Sequence, residues 1–211
     1  MKNYQNFILR LKQELTFPLP GLNAQLELAP DGRREEYPDL NLITGYRKSA
    51  VAVVLYPKHD GIYFPLIERV KYSGVHSGQI ALPGGKVDPS DLDFFGTALR
   101  ETKEEIGVQI AKENILGTLT DLYIPPSNFL VRPVVAFSDI IPDFKIQPRE
   151  VEQLIECPLE HFMKMEIQFT QVKNSSTGEK IKTPFFDING KILWGATAMI
   201  LNEMRWIINN C

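Results

Sequence analysis

Residues 84–108 read GGKVDPSDLDFFGTALRETKEEIGV. A double glycine, an acidic turn and a helix-forming run ending at Gly107 follow one another. The run from about Leu92 to Ile106 predicts one helix, with Gly107 as its C′ residue. At about 100° per residue, Phe95, Leu99, Thr102 and Ile106 fall together as the buried stripe. Glu101, Glu104 and Glu105 occupy the adjacent arc, bordering the core rather than lying opposite it. Carboxylates placed there are partly desolvated and raise one another's pKa. A divalent cation relieves both burdens, and Mg²⁺ suits a few carboxylate oxygens, several waters and phosphate oxygens. The competing reading is a solvated acidic stripe paired with Arg100 and Lys103.

The flanking chain supplies the rest of the architecture. Tyr4 to Leu15 reads as an amphipathic helix with Phe7, Ile8, Leu11 and Leu15 on one stripe, ended by the prolines of FPLPG. Residues 20–48 read as a connecting arm. Strands are predicted at 49–57, 62–70, 114–124 and 129–139, with Pro65 arguing for an edge or a bulge in the second. QLIECPL is a further strand and EHFMKM a short helix; EIQFTQV and KIKTPFFDI pair as a hairpin, and Asn189-Gly190 is a turn. ATAMILNEMRWIIN closes the chain as a helix, with Ala198, Leu201, Met204 or Arg205, and Ile208 at helical spacing. The order predicts one α/β domain: a mixed sheet with helices on both faces.

Bulk properties narrow the function. A chain of 211 residues, 44% hydrophobic, has room for one core and little for a second domain. A net charge of −3 gives no basic footprint for nucleic acid, yet a local cationic site for an anionic small molecule remains compatible with it. Cys157 and Cys211 form neither a disulfide framework nor a zinc pattern, and a reduced cytoplasmic setting is expected. No run approaches the roughly 18 apolar residues of a membrane span, and the first residues lack a secretory apolar segment.

The glycine loop and the helix together resemble the Nudix box, G-x5-E-x7-R-E-U-x-E-E-x-G-U, where U is a bulky apolar residue. Gly85, Arg100, Glu101, Glu104, Glu105, Gly107 and Val108 stand in its places. Asp91 replaces the first glutamate, the spacer to Arg100 is one residue longer, and Thr102 replaces U. The first two departures resemble the coenzyme A pyrophosphatase branch. Just upstream, LIERVKYSGVHSGQIALPGG (66–85) is similar to that branch's signature, with Leu66, Arg69, His76, Gly78, Gln79, Ile80, Pro83, Gly84 and Gly85 in place. Leu82 replaces a phenylalanine, and Gly74 stands where an arginine is often found. Segments 19–30, 148–159 and 194–201 resemble the branch as well.

The resemblance implies the Nudix fold, an α/β/α sandwich with a mixed central β-sheet, as a single domain over 1–211 with residues 1–48 packed on it. It implies water attack on the diphosphate of coenzyme A or its thioesters, giving 3′,5′-ADP and (acyl-)4′-phosphopantetheine, with Mg²⁺ or Mn²⁺ as cofactor. Glu101, Glu104, Glu105 and the carbonyl of Gly85 are the implied metal ligands. Glu101 or the late-loop Glu150 is the candidate base, and Arg100 braces the loop with Asp91 as partner. Substrate-binding candidates are Arg69, His76, Gln79, Gly84, Lys86 and Arg33, with Lys71 and Arg34 also cationic and nearby in sequence. Other family substrates (ADP-ribose, NADH, a dinucleoside polyphosphate) and a non-catalytic nucleotide sensor are the alternatives. Homodimers are common in the superfamily, although no exposed apolar stripe compels one here.

Overall fold

The structure is a computed structural model and describes residues 2–34, 37–71, 76–173, 178 and 180–211. In chain order the helices and strands are α1 (Lys2–Glu14), α2 (Leu22–Gln25), β1 (Arg47–Lys58), β2 (Gly61–Arg69), β3 (Ile80–Ala81), β4 (Gly84–Lys86), α3 (Phe94–Ile106), β5 (Ile115–Thr118), β6 (Leu122–Ile124), β7 (Phe129–Phe137), β8 (Val151–Pro158), α4 (Leu159–Lys164), β9 (Gln168–Lys173), β10 (Lys180–Ile188), β11 (Lys191–Trp194) and α5 (Gly195–Ile208). Gly74 lies outside the described residues.

Strand β1 organises the molecule. From Ala50 to Pro57 its sequence is apolar throughout, because both faces are covered there. With a side-chain period of two, Ala50, Ala52 and Val54 face one core, which they share with Ala98 and Ile106 of α3. Val53 and Leu55 face a second core, shared with Tyr4, Ile8 and Leu11 of α1 and with Leu201 and Met204 of α5. Helices therefore lie on both sides of one sheet. That sheet runs β3-β2-β1-β7-β5, with β4, β6 and β8 paired at its margins. It is mixed: β1 and β7 are parallel from Arg47↔Phe129 to Leu55↔Phe137, whereas β1 and β2 are antiparallel.

The predicted late hairpin forms, β9 pairing antiparallel with β10, and with β11 it makes a three-stranded sheet separate from the central one. Other expectations need correction. The stretch 114–124 is two short strands, broken after Thr118 where the chain crosses from one part of β7 to another. Pro65 is not on an edge strand, since β2 has neighbours on both sides. It falls between Tyr63, the last residue paired with β1, and Ile67, the first paired with β3, so on that side no partner asks for its missing N–H. Helix α3 starts at Phe94 rather than Leu92, because the Asp93 side chain caps it by accepting from Gly96 N. Gly107 ends it with φ 74°, as the sequence predicts.

The N-terminal arm is bound by two consecutive polar residues in the apolar closing helix. Glu203 of α5, fully buried, accepts from Gly21 N (3.1 Å), Gln25 Nε2 (2.7 Å) and Thr120 Oγ1 (2.6 Å). Asn202 donates to the Ala24 carbonyl (2.7 Å) and to Glu27 (2.9 Å). Further along the arm, the Tyr37 hydroxyl accepts from Tyr123 N (2.7 Å).

Candidate active site

Three carboxylates leave α3 at three depths. The Glu105 side chain is 1% exposed, Glu101 13% and Glu104 56%. The predicted arc is therefore rotated inward. Ala98, Thr102, Glu105 and Ile106 are buried, while Phe95 and Leu99 are only half-buried. Thr102 tolerates its buried position because its hydroxyl donates to the Ala98 carbonyl one turn back (2.7 Å).

Glu105 reaches under the glycine loop. Its Oε2 accepts from Gly84 N (2.8 Å) and its Oε1 faces Arg69 Nη1 (3.3 Å). Desolvation raises its pKa to about 7 against the opposing pull of these two donors. Gly84 is held with φ 156°, and a Cβ there would collide with the Ala50 carbonyl and with Val51 Cα at 2.6 Å. A Cβ on Gly85 would run into the Glu101 carboxylate, with Oε2 at 2.6 Å. The double glycine thus lets backbone lie directly against a carboxylate.

Arg100 ties the acidic groups together. Its Nε and Nη2 meet Asp91 as a fork (2.9 and 3.0 Å), and Nη1 donates to both Glu101 Oε1 and Glu104 Oε2 at 2.9 Å. Nη2 also donates to the Lys86 carbonyl (3.1 Å). The Arg100 fork holds the Asp91 carboxyl at about 2, well below its ordinary 3.8. Glu101 moves the other way: burial raises its pKa, and Arg100 opposes that. The depressed Asp91 pKa has a definite sign in stability. The pairing contributes above about pH 3.8 and is lost as pH falls through about 2. Asp91→Asn should therefore cost about 1–2 kcal/mol at neutral pH, with the gap to wild type closing near pH 2. Urea denaturation at a series of pH values measures this, and a pH-independent gap would contradict it.

The candidates divide by position. Arg33, Arg69, His76, Gln79, Gly84 and Gly85 all line one cleft of about 660 Å³. His76 Nδ1 lies 3.1 Å from Gln79 Oε1. Lys86 is exposed and does not line the cleft; its backbone, not its amine, serves the site. Glu150 is exposed in the turn just before β8, with its carbonyl accepting from Val70 N (3.1 Å), and its charge is felt by both Glu101 and Glu105. Trp194, Lys173 and Thr197, which were not among the candidates, also line the cleft. Trp194 and Thr197 fall in the segment 194–201 that resembles the branch, but nothing in that segment marks them as cleft residues, and Lys173 carries no pattern at all, because they come from the second sheet and the start of α5.

Among the described residues, no three His, Cys, Asp or Glu side chains converge as a ready-made cation cage. Mg²⁺ does not need one, since it keeps waters and borrows substrate phosphate oxygens. The donor set here fits that habit. Glu101 and Glu104 present oxygens to a single Arg100 nitrogen, and the Glu101 carboxylate lies against Gly85. Both Glu105 oxygens already serve Gly84 and Arg69, though each keeps a second lone pair.

Residues 46–174 match the NUDIX domain family. An uncharacterized Nudix hydrolase, NudL, from Photorhabdus laumondii is 31% identical over 129 residues, which cover 61% of this chain and 68% of that one. The mitochondrial coenzyme A diphosphatase NUDT8 of Homo sapiens is 33% identical over 132 residues, covering 62% of this chain and only 56% of its own. A MutT/nudix family protein from Enterococcus faecalis superposes with a TM-score of 0.52 at 18% identity, over 80% of this chain and 64% of that chain; this is likeness of fold. The family match takes in more than half of the chain and includes the glycine loop, Asp91, Arg100 and all three α3 carboxylates, so the chain belongs to the Nudix family of hydrolases.

Proposed function

We propose that this Nudix hydrolase cleaves the diphosphate of coenzyme A or its thioesters, releasing 3′,5′-ADP and (acyl-)4′-phosphopantetheine. One observation carries the reading. Of the stretch that resembles the coenzyme A pyrophosphatase signature, Arg69, His76, Gln79, Gly84 and Gly85 line one cleft beside the carboxylate helix. The human relative's name, a coenzyme A diphosphatase, supports the same choice.

Two linked phosphates repel a water nucleophile, so hydrolysis needs charge neutralised and water oriented. When bound, Mg²⁺ or Mn²⁺ neutralises phosphate oxygens and lowers the pKa of the attacking water. Glu101, Glu104 and the Gly85 carbonyl would hold the ion. Arg100 keeps the two carboxylates converged and anchors the turn through Asp91. Glu105 fixes Gly84 N, which sets the bend of the loop. Arg69, whose Nε is buried without a hydrogen-bond partner among the described residues, adds a cation to the cleft wall for the diphosphate. Glu101 or Glu150 accepts the proton of the attacking water.

The test is a product assay with coenzyme A, ADP-ribose, NADH and diadenosine tetraphosphate in separate reactions with Mg²⁺ or Mn²⁺. Coenzyme A should give 3′,5′-ADP fastest, and EDTA should stop the reaction. Faster turnover of another substrate would overturn the choice of coenzyme A. No turnover of any would make the protein a nucleotide sensor.

A further inference from the structure

The cleft is built from two sources. Arg69 and Gly85 lie inside the matched stretch 46–174 and sit by the carboxylates, Arg69 against Glu105 and Gly85 against Glu101. Arg33, Ile181, Trp194 and Thr197 lie outside it, on the N-terminal arm, β10, β11 and α5. Residues beyond the family domain thus finish the cleft, and their chemistry bears on which substrate fits.

Arg33 is the cation among them. The arm on either side of it is tied down at several points. Arg33 N donates to the Pro30 carbonyl (3.0 Å), and Asp31 N donates to the Lys182 carbonyl on β10 (3.0 Å). The Glu203 and Asn202 contacts hold the arm before it, and Tyr37 holds the arm after it. Its guanidinium, by contrast, makes no hydrogen bond or ion pair with any described residue. Asp31 lines the same cleft without pairing with it. Burial lowers the Arg33 pKa, and the one group that opposes this is the Tyr37 hydroxyl. A half-buried guanidinium with no hydrogen-bond or ion-pair partner among the described residues is costly unless an anion completes it. Its planar fork suits two phosphate oxygens at once.

The diphosphate to be cut belongs with the glycine loop and the α3 carboxylates. Arg33 therefore calls for a second anionic group on the same molecule. We propose that Arg33 is a specificity residue that pairs with a phosphate monoester carried on the substrate's nucleoside, separate from the scissile diphosphate. Lys173 at the end of β9 lines the cleft too and adds positive charge. This assignment rests on the coenzyme A reading. Substrates such as ADP-ribose and NADH carry no such monoester, so Arg33 discriminates against them.

The test compares coenzyme A with dephospho-coenzyme A, which lacks only the 3′-phosphate, in wild type, Arg33→Gln and Arg33→Lys. Calorimetric titration with 3′,5′-ADP and 5′-AMP runs beside the kinetics, and thermal melts confirm folding. In Arg33→Gln, KM for coenzyme A should rise about tenfold, as expected for a lost charge-assisted pair. KM for dephospho-coenzyme A should stay within about twofold, kcat should hold, and the preference for 3′,5′-ADP over 5′-AMP should vanish. Arg33→Lys should recover part of the loss. If coenzyme A is hydrolysed but Arg33→Gln shifts both substrates equally, or neither, the role of Arg33 is wrong and the coenzyme A reading stands. If wild type neither cleaves coenzyme A nor prefers 3′,5′-ADP, both fall together.

Discussion

Glu101→Gln should lower kcat for diphosphate hydrolysis by about 10³-fold and leave the fold intact. The amide has the shape of the carboxylate, so it still fits against Gly85, where no Cβ could stand. What it loses is charge and basicity. Glu101 is the half-sheltered member of the three: shielded enough for burial to raise its pKa, open enough to face a ligand. It also shares Arg100 Nη1 with Glu104, which holds the two carboxylates close together. The stability cost should be small, about 0.5–1 kcal/mol, because the Arg100 pair is partly solvated and Arg100 keeps Asp91. Steady-state kinetics and Mn²⁺ titration of the purified variant decide the point. An unchanged kcat with unchanged Mn²⁺ affinity would remove Glu101 from the chemistry. Lost affinity with a normal rate at saturating metal would make it a ligand and pass the base role to Glu150.

The parts of this site that were legible in sequence are those that lie close together in the chain. Gly107 as the helix stop and the glycine loop before the helix are read from adjacent residues, and Arg100 with Asp91, nine residues apart, is what the resemblance to the Nudix box implies. The depth of Glu105 was not legible. Helical periodicity gives the direction of a side chain but not the position of the sheet, and here β4 and β2 bring Gly84 and Arg69 over that carboxylate. Lys86 looked cationic and close to the loop, yet only its carbonyl turns toward Arg100. The separate three-stranded sheet was hidden for a related reason. Alternation identifies a strand but not its partner, and β9–β11 read like any hairpin. The clearest miss was Glu203. An acidic residue inside the apolar run ATAMILNEM signals a buried polar group, but its partners Gly21, Gln25 and Thr120 are 83 to 182 residues away in sequence.

That buried carboxylate carries the largest expected effect on stability. Glu203→Ala should destabilise the protein by about 3–5 kcal/mol. A carboxylate is acceptor-only and can take several donors at once. Here Gly21 N, Gln25 Nε2, Thr120 N and Thr120 Oγ1 all point at it, in a position with no exposure. Truncation strands those donors and leaves a void. Glu203→Gln keeps the volume but turns an NH₂ toward other donors, so it should cost less, about 1–3 kcal/mol. Denaturant titration gives both values, and a loss under about 1 kcal/mol for Glu203→Ala would show that the arm is held by other contacts. The two variants also separate stability from function. Glu203 touches nothing in the cleft, but it holds the arm that carries Arg33. At a temperature where Glu203→Gln remains folded, loosening of the arm should raise KM for coenzyme A and leave kcat nearly unchanged. An equal fall in kcat would mean that the closing helix also supports the carboxylate side of the site, although α3 and α5 pack on opposite faces of the sheet.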